Sequence, residues 1–211
     1  MRISLLLCLL FFSLSFTSQL KQEKNEEWIS LFDGKTLNGW KVGANAETFK
    51  VQNGVIVVNG KVAHLFYDGA VANHNFTNFE LKLDIMTKPG ANSGVYIHTL
   101  FQESSWPKKG YEVQVNNSQT DWRRTASLYA IQDLKEVFVK DDEWFTMHIL
   151  VKGKNIQVKI NDKLVNDYTE PENATRPKGM EERLLSSGTI ALQGHDPNST
   201  VLYKNILVKI L

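Results

Sequence analysis

The chain has 211 residues, 42% of them hydrophobic and 22% charged, with 24 basic and 23 acidic side chains. That size and balance suit one folded domain and exclude a disordered polymer. Near-neutrality leaves no electrostatic footprint for nucleic acid and no polybasic patch for a membrane surface, while small neutral solutes remain open as ligands.

The first residues read as a leader. Arg2 precedes the apolar run 5–12, and the small polar residues Ser13, Ser15, Thr17 and Ser18 follow. A basic start, a short apolar stretch and a small-residue exit are the pattern of a secretory signal peptide, too short to span a bilayer. Residues 1–18 are therefore expected to be removed on export to the periplasm or the medium. Residues 19–27 then form a polar tether, and 28–211 the mature domain, with no membrane span. Cys8, the single cysteine, leaves with the leader, so the mature chain has no disulfide and relies on its core.

From Trp28 the punctuation is that of an all-β protein. Asp33-Gly34, Asn38-Gly39, Asn53-Gly54 and Asn59-Gly60 are tight-turn dipeptides between short runs of Val, Ile, Phe and Leu. The run 55–58 is predicted to be a strand with a hairpin on either side. Strict alternation over 79–86 puts Phe79, Leu81, Leu83 and Ile85 on one face, with Glu80, Lys82 and Asp84 on the other. It recurs in 94–100, 111–116, 144–152, 155–160, 188–195 and 201–210, and Asn161-Asp162 suggests a further turn. Only 175–185 leaves room for a helical turn or two. Ten or more short strands predict a two-sheet antiparallel sandwich of jelly-roll type, with a closed barrel as the structural alternative.

Three of these strands pair an apolar face with a face of hydrogen-bonding groups. Tyr96 and His98 oppose Val95 and Ile97. Glu112, Gln114 and Asn116 oppose Tyr111, Val113 and Val115. Thr189, Ala191, Gln193 and His195 oppose Ile190 and Leu192. In one sheet these polar faces would line a single concave surface, with Trp106, Tyr111, Trp122 and Tyr129 near it. Directional polar groups beside aromatic rings suit a sugar, hydroxyls on the former and C–H faces on the latter. The competing reading is a solvated sheet face, although such faces usually resemble the Lys82 and Asp84 side of 79–86. Glu112 is the one carboxylate on these three faces and the candidate general base. His98 and His195 are candidate acid–base groups. No ligand spacing supports a metal site, and no cofactor is predicted. His64 and His74 are expected in solvent, His148 on the core face of 144–152, and Asp33 in a turn. Paired carboxylates for ordinary glycoside hydrolysis are lacking; Glu80 and Asp84 are a poor fit.

The opening Trp28-Ile29-Ser30-Leu31-Phe32-Asp33-Gly34-Lys35 resembles the start of the 3-keto-disaccharide hydrolase domain family. Further matches follow in order: Asn92-Ser93-Gly94-Val95, Gly110-Tyr111-Glu112-Val113-Gln114-Val115, Leu128-Tyr129, Gly194-His195 and Tyr203-Lys204-Asn205-Ile206. His98 and Lys204 stand where the family often has Arg. The resemblance implies a concanavalin A-like lectin/glucanase sandwich that cleaves 3-keto-glucosides by 1,2-elimination and hydrates the glucal product. The residues themselves then suggest the roles such an elimination needs: Glu112 is the expected base, His195 the acid, and Gln114, Gln193 or His98 the stabiliser of the enolate, a role that a divalent cation could also fill. Tyr96, Tyr129, Trp122 and Asn92 complete the expected sugar contacts. A non-catalytic, lectin-like binding module on the same sandwich is the alternative.

Overall fold

The computed structural model describes residues 27–211; the expected leader and the tether up to residue 26 lie outside the described residues. In chain order the strands are β1 (Ile29–Ser30), β2 (Trp40–Val42), β3 (Phe49–Gln52), β4 (Val55–Val58), β5 (Ala63–Tyr67), β6 (Phe79–Thr87) and β7 (Ser93–Thr99). Then come β8 (Tyr111–Val115), β9 (Phe145–Lys152), β10 (Asn155–Ile160), β11 (Lys163–Thr169), β12 (Thr189–Gly194) and β13 (Val201–Ile210). Apart from two single 3-10 turns, Ala46–Thr48 and Val71–His74, the described residues hold no helix. The segment 175–185, which left room for a helical turn or two, is irregular. None of the described helices is long and apolar enough to cross a membrane.

Two antiparallel sheets form the sandwich of concanavalin A-like lectin/glucanase type. One has the order β11-β10-β9-β6-β13-β4-β3, with β1 on β13, and the other β2-β5-β12-β7-β8. Neither sheet closes into a barrel. Alternation dictates the core: Phe79, Leu81, Leu83 and Ile85 of β6, with Met147, Ile149 and Val151 of β9, meet Val95, Ile97, Val113, Val115, Ile190 and Leu192 of the smaller sheet. The hairpin β3–β4 turns on Asn53 and Gly54, and β10–β11 on Asn161 and Asp162, all four with positive φ as two-residue hairpins require.

The structure corrects two local expectations. The second hairpin expected beside 55–58 does not form, because β4 pairs with β13 and β5 joins the other sheet. The Asn59 side chain holds this change of sheet, donating to the carbonyls of Pro197 and Ser199 and to Thr200 Oγ1. His148 lies on the outer face of β9, opposite the core residues Met147 and Ile149. There its Nε2 is 2.8 Å from Glu80 Oε2, and burial pulls its pKa down more than Glu80 raises it. Asp33 sits in a turn, as read from the sequence, accepting from the Lys35 and Thr36 amides and the Thr36 hydroxyl.

Candidate active site

The outer face of the five-stranded sheet carries His64 and Phe66 from β5, Ala191 and Gln193 from β12, Gly94 and Tyr96 from β7, and Glu112 and Gln114 from β8. Their register partners lie side by side: His64 against Gln193, Tyr96 against Glu112, and Gly94 against Gln114. Over this face lies a cleft of about 290 Å³, at the small end of ordinary ligand sites. The loop 100–110 contributes Trp106, Pro107 and Lys108, the loop after β8 gives Asp121 and Tyr129, and the segment before β12 gives Gly179, Met180 and Arg183. Asn92, Gln193 and His195 complete the lining.

Glu112 is at the centre and only 6% exposed. Its Oε1 accepts from Gln193 Nε2 at 2.7 Å, and its Oε2 from the Tyr96 hydroxyl at 2.8 Å and Arg183 Nη2 at 3.4 Å. Burial, and next the Glu112 charge, push the Tyr96 pKa well above the usual tyrosine value, so Tyr96 stays a hydrogen-bond donor. Gln114 Nε2 donates to Asn92 Oδ1 at 3.1 Å. These bonds fix the orientation of both amides and leave Gln114 Oε1 and Gln193 Oε1 without a partner among the described residues. Arg183 is 5% exposed, and its Nε and Nη1 also lack hydrogen-bond partners among the described residues. Buried polar atoms are normally paired, so four unpaired atoms at one cleft mark a place built for a polar ligand.

His195 Nδ1 is 2.7 Å from Asp196 Oδ2, which also accepts from the Ser199 hydroxyl. A proton on Nδ1 leaves Nε2 as the exchanging nitrogen. The His195 and Ser199 hydrogen bonds outweigh burial and hold the Asp196 pKa below the usual carboxylate value. Trp106 stands between His195 and His64, with ring centroids at 5.4 and 5.6 Å.

Of the nine residues expected at the site, seven line the cleft: Asn92, Tyr96, Glu112, Gln114, Tyr129, Gln193 and His195. His98 does not. Between Tyr96 and Thr99, β7 spends one residue more than β12, and His98 absorbs this bulge with φ at +54°. Its side chain is thereby diverted from the Tyr96 face. The ring packs on Phe79 of the opposite sheet, Nδ1 accepts from the Ser186 amide, and Nε2 donates to the Thr77 carbonyl. Trp122 is also outside: it is 46% exposed and flanked by the cations of Arg123 and Lys135. The sequence reading missed Asp121, Met180, Arg183 and Asp196, and placed His64 in solvent although it is 4% exposed beneath Trp106. The apolar neighbours Leu65 and Tyr67 were the available signal for His64. Arg183 lies in an irregular segment with no periodicity to assign it a face.

A wider depression of about 410 Å³ lies on the outer face of the larger sheet, over Asp33, Lys82 and Asp84. Asp84 is already held there by Thr146 and Asn205, and no unpartnered buried side-chain atom lines it, so the smaller cleft is the functional candidate. Among the described residues, no three His, Cys, Asp or Glu side chains gather into a metal-binding group.

A polar, aromatic-walled cleft on a lectin/glucanase-type sandwich defines a carbohydrate-active, hydrolase-like protein. Residues 27–209 match the family model described as the 3-keto-alpha-glucoside-1,2-lyase-like domain, and the chain belongs to that family. It is similar to a 3-keto-disaccharide hydrolase of Bacteroides thetaiotaomicron, at 29% identity covering 87% of this chain and 78% of the relative. A Parabacteroides distasonis crystal structure, provisionally named a glycosyl hydrolase, superposes with a TM-score of 0.75 at 24% identity, covering 90% of this chain and 97% of that one. A carbohydrate binding module from Bacillus subtilis has the same fold at a TM-score of 0.55 and 14% identity, over 81% and 95% of the two chains.

Proposed function

We propose that this protein cleaves 3-keto-glucosides by 1,2-elimination and hydrates the glucal product, for a net hydrolysis. The observation that carries the reading is Glu112, a buried carboxylate held on both oxygens by neutral donors and an arginine, in a cleft with polar atoms still unpaired. A ketone at C3 acidifies the C2 hydrogen. Glu112 removes that proton, and the C–H electrons form the enolate across C2, C3 and the ketone oxygen. The enolate collapses to a C1–C2 double bond, restores the ketone and expels the C1 alkoxide, which His195 protonates from Nε2. Water then adds at C1, its proton passing to His195 Nε2, and Glu112 gives its proton, exchanged with solvent, to C2, which restores both residues. This route needs one base, in place of the two opposed carboxylates of ordinary glycoside hydrolysis. Asp121, the other carboxylate lining the cleft, is occupied by the Arg123 amide and guanidinium.

Incubation in heavy water with a 3-keto-glucoside should yield 3-keto-glucose carrying deuterium at C2, and the corresponding unoxidised glucoside should remain intact. Glu112→Gln keeps the side chain's size and loses the base. Turnover at a temperature where the variant is folded should fall on the order of a hundred-fold or more, and the melting temperature should also drop, because the buried Arg183 loses its counter-charge. Equal cleavage of the unoxidised glucoside would instead assign a conventional glycosidase, with Glu112 and Asp121 as its acids. Binding without turnover would assign a sugar-binding module.

A further inference from the structure

The elimination above develops negative charge on the C3 oxygen, and that oxygen needs a hydrogen-bond donor that binds it more tightly as the charge grows. The two glutamines of the cleft are poor sources of one. Gln193 Nε2 is spent on Glu112 and Tyr96, and its free atom is a carbonyl oxygen; Gln114 Nε2 is bonded to Asn92, and beyond its unpaired carbonyl oxygen it has only one neutral amide N–H left, a weaker partner for an anion than a guanidinium. A carbonyl oxygen repels an enolate and suits a sugar hydroxyl. His98 donates to the Thr77 carbonyl and points into the core. Lys108 lies exposed on the rim.

Arg183 has what the others lack. It is buried, its Nη2 is bonded to Glu112, its guanidinium carbon lies 5.4 Å from the Tyr96 ring centroid, and its Nε–H and Nη1–H have no acceptor among the described residues. Its backbone is secured on both sides: its carbonyl accepts from Arg176 Nε at 2.5 Å and its amide donates to the Met180 carbonyl at 3.0 Å. A fixed cation with spare donors beside the base satisfies the geometric need of the enolate.

We propose that Arg183 is a catalytic residue that receives the C3 oxygen of the substrate and stabilises the enolate formed when Glu112 takes the C2 proton. The assignment rests on the proposed elimination and adds to it an orientation. The ketone lies at the Arg183 end of the cleft, and the neighbouring hydroxyls donate to Gln114 Oε1 and Gln193 Oε1. In the enolate step no proton is transferred to Arg183: the C2–H electron pair moves to the ketone oxygen, and the guanidinium holds the resulting charge by hydrogen bonds alone. The ligand class is consequently a sugar oxidised to a ketone next to the carbon that loses its proton, and a plain glycoside leaves the Arg183 donors facing a weakly accepting hydroxyl.

The test is Arg183→Met, followed by deuterium entry at C2 and by kcat against pH. Loss of one anion-stabilising donor set should lower the kcat plateau on the order of a hundred- to a thousand-fold at every pH, with KM changed only a few-fold. Added guanidinium ion should restore part of the rate. Arg183→Gln, which can still donate to Glu112, serves if the methionine variant does not fold, and its plateau should fall at least about ten-fold. Rates within a few-fold of wild type overturn the proposal. So does a lost rate that returns in full on raising the pH, since Arg183 would then act only by keeping Glu112 ionised. If wild type itself puts no deuterium at C2 of a keto-glucoside, the elimination is wrong and the role of Arg183 falls with it; exchange by wild type and equal exchange by the variant refute Arg183 alone.

Discussion

Glu112 can occupy the centre of the cleft because the neighbouring strand carries a glycine. A Cβ at Gly94 would stand 2.9 Å from Glu112 Oε1 and 3.0 Å from its Cγ, so any other residue there would displace the carboxylate. His64 is buried against Phe66, Tyr96 and Trp106, its Nε2 has no partner among the described residues, and burial first, then Arg183 and His195, lower its pKa to about 3. The unfolded imidazole titrates near 6.5, so between that value and 3 the unfolded chain binds the extra proton and stability is lost as the pH falls. His64→Phe keeps a ring against Tyr96 and Trp106 and removes the titration. Thermal unfolding followed from pH 7 to pH 4 should show wild type losing roughly 3 kcal/mol more than the variant. Parallel pH profiles for the two proteins would disprove the assignment.

At the scale of elements, the segment between β11 and β12 matters most, because it brings Arg183 over the cleft without regular structure of its own. Glu170, at the end of β11, anchors it. Its Oε2 accepts from the Tyr111 hydroxyl at 2.5 Å, the Leu185 amide at 2.8 Å and Arg176 Nη2 at 3.2 Å, while Oε1 accepts from Lys154. Burial raises the Glu170 pKa, but the bonds from Lys154, Tyr111 and Leu185 outweigh it and the net shift is downward. The anchor is therefore at full strength above the ordinary carboxylate range and weakens only as the pH falls below it. Glu170→Gln leaves the Arg176 cation buried without a counter-charge and should cost about 3 kcal/mol. Hydrogen exchange at the Leu185 amide should quicken, and kcat/KM on a keto-glucoside should drop; unchanged protection at Leu185 would refute the anchor. Nothing in the sequence marks this segment, since an irregular stretch has no period from which to assign faces. The strands are a different case: the alternation in 79–86 and 111–116 encodes both strand and buried face, whereas in 201–210 it encodes the strand only, because a bulge at Asn205 shifts the buried positions from Val201 and Tyr203 to Ile206 and Val208. The element-scale error at His98 has a definite cause, because period two breaks when a bulge inserts one residue, and the composition of β7 does not announce it.

Across the whole molecule, the site is supported from behind by the join between the sheets. Tyr203 of β13 is fully buried, and its hydroxyl lies 2.7 Å from Ser93 Oγ of β7, which donates to the Gln193 carbonyl at 2.5 Å. One chain of hydroxyls thus links the larger sheet to the strand that holds Glu112 through Gln193. Because Ser93 donates to Gln193, Tyr203 is the donor to Ser93, and burial pushes the Tyr203 pKa above the usual tyrosine value, so that donor is retained. The two-sheet architecture was legible from strand periods, but this tie was not, since pairing between sheets depends on three-dimensional register. Tyr203→Phe preserves the ring and deletes only the hydroxyl, leaving Ser93 with its bond to Gln193. The loss should be about 1 kcal/mol, or about 2–4 °C in melting temperature for a domain of this size. Because Glu112, Arg183 and the cleft lining are untouched, turnover of a keto-glucoside at 25 °C should remain within a few-fold of wild type. A much larger fall in turnover without a matching loss of stability would mean that the Ser93–Gln193 link controls the position of Gln193 against Glu112, and that the two sheets do not act as independent supports of the site.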